Sequence, residues 1–272
     1  MDNYTRLPLM RSGQEVAAYR ANRPGLPLVF QHGLCADPLQ TVEVIPPDTL
    51  HCHHLMHCRG HGASEPGIIE QFSIPTFADD LIAFIDQHIQ TPCVVGGISM
   101  GSAISLRVAV KRPDLVSALI LARPAWFTDP VPENLQPLVE IAQLLANHEA
   151  SEAKRRFLDS QSAAILRKSA PGNLTSLLNM FERKPHSITS RLLNRIAKDG
   201  PGINVKEIAD IKVPTLIIAN GDDYIHPMRL ADNLAATIPG AKRVVITSKT
   251  VDEAAYVTGF RTALSGFLKN FQ

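Results

Sequence analysis

Short apolar runs alternate with stretches of helical periodicity along most of this chain. Leu26–Gln31 (LPLVFQ), His51–Met56, Thr91–Gly96, Val116–Ala122 (VSALILA), Val213–Ala219 (VPTLIIA) and Ala241–Thr247 (AKRVVIT) read as strands, most of them buried. Between them, Phe77–Ile89 places Phe77, Leu81, Phe84, Ile85 and Ile89 on one helical face. Ser102–Lys111, Pro227–Ile238 and Tyr256–Phe271 predict three further helices. Strands alternating with helices predict a mostly parallel α/β sheet.

The pattern changes after Arg123-Pro124-Ala125-Trp126. From about Asn134 to Lys198 there are many helical runs and little strand signal, punctuated by Pro171-Gly172 and Pro185 and closed by Gly200-Pro201-Gly202. The expected organisation is a core (1–125), a helical insertion (126–203) and a second part of the core (204–272). An insertion after the Val116–Ala122 strand would lie over the carboxyl edge of the sheet, where α/β sheets hold their ligands. It reads as a cap over that crevice, an incidental helical appendage being the other reading.

Composition narrows the class. The chain has 272 residues, 45% hydrophobic, with a formal net charge of +1 and no internal repeat. That size and apolar content suit one sizeable core, and the charge gives no case for nucleic acid or an acidic membrane. No window of about 18 uncharged apolar residues appears, so no membrane span is expected. Met1-Asp2-Asn3-Tyr4-Thr5-Arg6 has no apolar run of the secretory kind. Cys35, Cys52, Cys58 and Cys93 lack paired C-x-x-C spacing and read as reduced thiols of a cytoplasmic protein.

The chemistry centres on Gly97-Ile98-Ser99-Met100-Gly101, a G-x-S-x-G turn between a predicted strand and a predicted helix. Glycines permit a sharp turn that presents the serine hydroxyl above the sheet edge, at a helix N-terminus that favours a developing oxyanion. His32-Gly33, Arg59-Gly60-His61-Gly62-Ala63-Ser64 and Asn220-Gly221-Asp222-Asp223-Tyr224-Ile225-His226-Pro227 accompany it. With these motifs the chain resembles the α/β-hydrolase family nearly end to end. The resemblance implies an α/β-hydrolase fold, with a mostly parallel central sheet flanked by helices and a helical cap insertion. It also implies Ser99 as nucleophile, Asp223 rather than Asp222 as the acid, and the backbone N–H groups of Leu34 and Met100 as oxyanion donors.

The chain departs from the family where the general base belongs. The family places a histidine in a loop after the last strand, near residue 250 here, where the sequence is Ser248-Lys249-Thr250-Val251-Asp252-Glu253. No histidine follows His226. His226 is the first candidate for the base, Lys249 the second and His186 the third. A lysine base would need a pKa lowered by burial. Two other readings stay open: a site that binds a small molecule without hydrolysis, and an elimination or isomerisation enzyme on the same scaffold.

His32, Arg123, Trp126 and Lys249 are the candidate substrate-binding residues. Arg123 and Lys249 could form a cationic wall for an anionic substrate, or Arg123 could pair with Glu65, Asp129 or another structural acid. Trp126 could line the pocket or pack at a hinge. As catalysts, His32 and His61 are set aside as residues that hold turns. The run His51-Cys52-His53-His54-Leu55-Met56-His57-Cys58 invites a metal reading, but on one strand alternate residues face opposite ways and no second ligand cluster accompanies it. No metal or cofactor is expected. The expected activity is hydrolysis of a small ester, lactone or thioester. The expected partner is a small-molecule substrate, not nucleic acid or membrane, with a homodimer left open.

Overall fold

The computed structural model describes residues 3–36 and 39–271. Met1 and Asp2, part of the N-terminal stretch read for a secretory signal, lie outside the described residues. Eight strands form one sheet: β1 (Tyr4–Leu7), β2 (Ala18–Ala21), β3 (Leu26–Gln31), β4 (His51–Met56), β5 (Cys93–Ile98), β6 (Val116–Ala122), β7 (Thr215–Asn220) and β8 (Lys242–Ile246). Their order is β1-β2-β4-β3-β5-β6-β7-β8. Strands β4 through β8 in that order pair in parallel, and β2 is antiparallel to both of its neighbours.

The strand sequences explain their places. β3, β5, β6 and β7 are central and covered on both faces, so they are apolar without alternation. β4 is just as buried although three of its six residues are histidine. Burial drives those imidazoles neutral: His53 falls to about 3 and His54 to about 4. His53 Nδ1 meets the Tyr4 hydroxyl at 2.9 Å, and His54 Nδ1 meets the Cys52 carbonyl at 2.9 Å. Among the described residues no three histidine, cysteine or acidic side chains are arranged to hold a metal ion.

Among the described residues nine α-helices cover the sheet and its carboxyl edge: α1 (Ile74–His88), α2 (Met100–Lys111), α3 (Gln136–Asn147), α4 (Ala150–Leu158), α5 (Gln161–Ser169), α6 (Pro171–Leu178), α7 (His186–Ala197), α8 (Met228–Thr237) and α9 (Glu253–Leu268). A shorter helix, Leu39–Val44, precedes β4, and another, Val205–Ala209, precedes β7. Helix α1 starts three residues before the predicted Phe77, because Ser73 caps the Thr76 N–H at 3.1 Å and Pro75 fits the first turn. Helix α9 likewise starts at Glu253 rather than Tyr256, where Asp252 accepts the Ala255 N–H at 2.9 Å. One face of the sheet packs on α1, α2 and α8. The other packs Phe30, Ile120 and Ile218 against Tyr256, Phe260 and Leu264 of α9.

Helices α3 to α7 all lie between β6 and β7. Trp126 pins the two ends of this segment: its indole N–H donates to the Asp199 carbonyl at 2.9 Å, and the Asp199 carboxylate accepts the Ile74 N–H at 2.6 Å. Among the described residues no helix is long and apolar enough to cross a membrane.

Candidate active site

Four strand ends meet at one place. The residues that leave β3, β5, β6 and β7 include Cys35 (φ 55°), Ser99 (φ 56°), Arg123 (φ 45°) and Asp222 (φ 52°), all left-handed without being glycine. Such backbone persists only where surrounding contacts impose it, and it gathers at functional sites.

Ser99 shows how the turn is imposed. A side chain on Gly97 would sit 2.5 Å from the Gly101 carbonyl carbon, and one on Gly101 would collide with the Gln31 carbonyl. Only glycine at both places lets β5, the turn and α2 pack so closely. Ser99 occupies the N-cap position of α2 but makes no capping bond. Its hydroxyl instead meets His226 Nε2 at 2.8 Å.

The imidazole is held from behind. His226 Nδ1 lies 2.9 Å and 3.0 Å from the two Asp223 carboxylate oxygens. A ring nitrogen between two carboxylate oxygens carries the proton, which leaves the Nε2 lone pair facing the Ser99 hydroxyl. The His226 backbone N–H donates to Asp223 Oδ1 as well, at 3.1 Å. Asp223 Oδ2 receives Arg123 Nη2 at 2.6 Å and Nε at 3.0 Å. Arg123 Nη2 also lies 3.1 Å from His226 Nδ1, and its guanidinium stands over the Tyr256 ring at 5.9 Å.

These contacts set the charges. Burial works against ionising Asp223, but His226 and Arg123 beside it outweigh burial and hold its carboxyl well below the usual carboxylate range. For His226 burial wins: it lowers the imidazole, Asp223 opposes it, and Arg123 lowers it further. A neutral imidazole is the form that can take a proton.

The Ser99 hydroxyl opens into a cavity of about 290 Å³, lined by Leu34, Leu138, Leu177 and Met180 with Asn173 and Ser176 among the polar groups. Leu138 belongs to α3, Leu177 to α6 and Met180 follows α6, so the segment between β6 and β7 roofs the serine. Leu34 comes from the loop after β3, which passes close to Ser99: a Cβ on Gly33 would lie 3.6 Å from Ser99 Cβ. Cys35 also lines this cavity, and burial pushes its thiol up to about 12.

Ser99, Asp223, His226, Leu34 and Arg123 therefore converge, while other candidates do not. His32 is buried beneath the loop rather than in the cavity: Nδ1 bonds the Gly33 carbonyl at 2.8 Å and Nε2 accepts the Cys58 N–H at 3.1 Å. His61 does similar work, accepting the Cys35 N–H at 2.9 Å. Trp126 is 2% exposed, its indole N–H is taken by the Asp199 carbonyl, and it is not among the residues lining the Ser99 cavity. Arg123 faces the cavity, but its charge is committed to Asp223 rather than to Glu65 or Asp129. Lys249 lines an adjoining cavity of about 350 Å³ and pairs with Glu253 at 2.7 Å, which raises rather than lowers its pKa. The condition for a lysine base is not met. His186 is not among the residues lining the Ser99 cavity. Met100 is buried directly after Ser99, at the start of α2.

Comparison with known proteins agrees with this architecture. The chain belongs to the alpha/beta hydrolase fold family, whose model matches residues 27–249. It is 26% identical, over 69% of its length and 71% of the relative's, to a Pseudomonas savastanoi pv. phaseolicola protein named "Putative carbamate hydrolase RutD". It is 24% identical to Lipase 3 of Moraxella sp., over 88% of this chain and 76% of the lipase. An esterase from Exiguobacterium antarcticum has the same fold, with a TM-score of 0.74 at 19% identity over 97% of this chain and 99% of the esterase. So does the enol-lactonase from Burkholderia xenovorans LB400, with a TM-score of 0.70 at 18% identity over 97% of this chain and all of that one.

Proposed function

We propose that this chain is a serine hydrolase acting on small carboxylic esters, lactones or thioesters. The observation that carries the reading is the 2.8 Å contact of Ser99 Oγ with His226 Nε2, backed by Asp223 on the other ring nitrogen. Ser99 attacks the carbonyl carbon and its proton passes to His226 Nε2. The backbone N–H groups of Leu34 and Met100 take the oxyanion. The imidazolium, stabilised by Asp223, gives its proton to the leaving group. Water then repeats the sequence on the acyl-enzyme. The helices between β6 and β7 serve as a cap, and the small cavity beneath them, where Leu34, Leu138, Leu177 and Met180 stand beside Asn173 and Ser176, suits a short acyl group. The relatives' names (carbamate hydrolase, lipase, esterase, lactonase) support the reaction class. A cytoplasmic setting goes with the four free cysteine thiols.

The direct test is turnover of p-nitrophenyl acetate and butyrate, a γ-lactone and acetyl-thiocholine, with mass spectrometry of the trapped enzyme. The expected result is turnover of at least one substrate, an acyl adduct on Ser99, and loss of both in Ser99→Ala. No turnover and no adduct across the set contradicts the reading.

Arg123 predicts a pH effect of definite sign. A cation beside Nδ1 disfavours the imidazolium and so lowers the pKa of the base. In Arg123→Met that pKa rises, and the acid limb of kcat/KM moves to higher pH. A pH–rate profile checks it. A limb that stays put or moves down shows that Arg123 does not tune the base.

A further inference from the structure

The acid and the base both hang on one four-residue stretch, Asp223 to His226. Between them Ile225 is buried and Tyr224 half-buried, and peptide groups withdrawn from water must find partners. They find them in two asparagines from far along the chain. Asn173 Oδ1 accepts the Tyr224 N–H at 2.7 Å and the Ile225 N–H at 3.2 Å. Asn134 Nδ2 donates to the Ile225 carbonyl at 2.6 Å and to the Ala125 carbonyl at 3.1 Å. Asn173 is 7% exposed and Asn134 3% exposed. Asn173 sits in the first turn of α6 and Asn134 lies just before α3, so both belong to the segment between β6 and β7.

The two asparagines meet at Ile225, Asn173 on its N–H and Asn134 on its carbonyl. Asn173 works as an acceptor and Asn134 as a donor, and together they hold Ile225, the residue immediately before His226. Asn134 also ties that peptide to Ala125, two residues beyond Arg123. One side chain thus links the backbone just beyond Arg123 to the backbone just before His226.

We propose that Asn173 and Asn134 are positioning residues, a two-asparagine clamp by which the roofing helices hold the 223–226 loop so that His226 Nε2 stays on Ser99. The proposal rests on the Ser99–His226–Asp223 reading above. It gives the helical segment a second task besides covering the cavity, because α6 cannot move away without withdrawing the acceptor from Tyr224 and Ile225.

The test exploits the opposite polarity of the two asparagines. An aspartate accepts hydrogen bonds as the Asn173 carbonyl oxygen does, but when ionised it cannot donate as the Asn134 amide does. Kinetics on p-nitrophenyl butyrate are measured for Asn173→Leu, Asn173→Asp and Asn134→Asp, with His226→Ala beside them. Asn173→Leu and Asn134→Asp are expected to lose kcat by about 100-fold with KM little changed, the mark of a misplaced group rather than of lost binding. Asn173→Asp is expected to recover at least about tenfold of that loss. The low-field NMR signal of the His226 Nδ1 proton should weaken in Asn134→Asp and persist in Asn173→Asp.

If Asn173→Leu does not fold, the contrast between the two aspartate variants decides alone. Equal losses in both, or wild-type kcat in Asn134→Asp, overturn the clamp. A dead His226→Ala beside fully active clamp variants condemns the clamp and leaves the hydrolase reading standing. A fully active His226→Ala removes the reading beneath it.

Discussion

His226→Ala lowers kcat on a short ester by about 10^4-fold or more, leaving KM and the urea unfolding midpoint little changed. The size follows from what the imidazole does. A serine hydroxyl attacks poorly until a base takes its proton, and loss of such a base in serine hydrolases removes most of the rate beyond what the oxyanion site and binding supply. No neighbouring group is placed to substitute. Lys249 is paired with Glu253 and lines a different cavity. His32 and His61 each use both ring nitrogens to tie the loop after β3 to the turn after β4. Steady-state kinetics check the prediction. A variant that keeps a tenth of the wild-type rate would assign the base elsewhere.

Asp223→Asn acts twice. It costs roughly 10^4-fold in kcat, because an amide cannot hold the Nδ1–H tautomer that leaves Nε2 free to accept. It also strips Arg123 of its partner. Arg123 is 16% exposed at its side chain and Asp223 only 2%, so the cation is left largely buried and unpaired. Breaking such a pair from one side costs about 3–5 kcal/mol. A urea titration of the variant should show a lower midpoint with an unchanged slope. His226→Ala lacks this second effect, so the two variants separate catalysis from stability. Equal stability in both would mean that Arg123 finds another partner in the folded chain.

Much of this site is legible in the sequence because its signals are local. The runs read as β3, β4 and β6 cover the same residues that the structure gives those strands. The G-x-S-x-G signature is carried by five consecutive residues, and the spacing of Asp223 and His226 fixes both on one loop. What escapes is of two kinds. Strands β1 and β2 are four residues each at the antiparallel end of the sheet, where β1 is partly exposed and carries no apolar run. Helix starts at Ile74 and Glu253 depend on caps rather than on periodicity.

The second kind is long-range. Arg123 finds Asp223 across 100 residues of sequence, and Asn173 and Asn134 reach Tyr224 and Ile225 across 51 and 91. Only the folded chain reveals that Arg123 meets the proposed triad's own acid. Pro171-Gly172 and Pro132 punctuate the chain just before each asparagine, but turn residues do not say what the next amide will touch. Trp126 and His32 teach the converse. Both stand beside the crevice in sequence, yet backbone carbonyls and N–H groups claim their polar atoms, and neither lines the cavity.

The central claim is that His226, from the acid's own loop, serves as base to Ser99. Its most direct test is the rate at which a fluorophosphonate labels Ser99 in wild type, His226→Ala and Lys249→Ala. Labelling requires attack by the serine oxygen but no particular substrate. The expected result is a fall of about 10^3-fold in His226→Ala and a rate close to wild type in Lys249→Ala. Labelling that survives in His226→Ala and collapses in Lys249→Ala would contradict it.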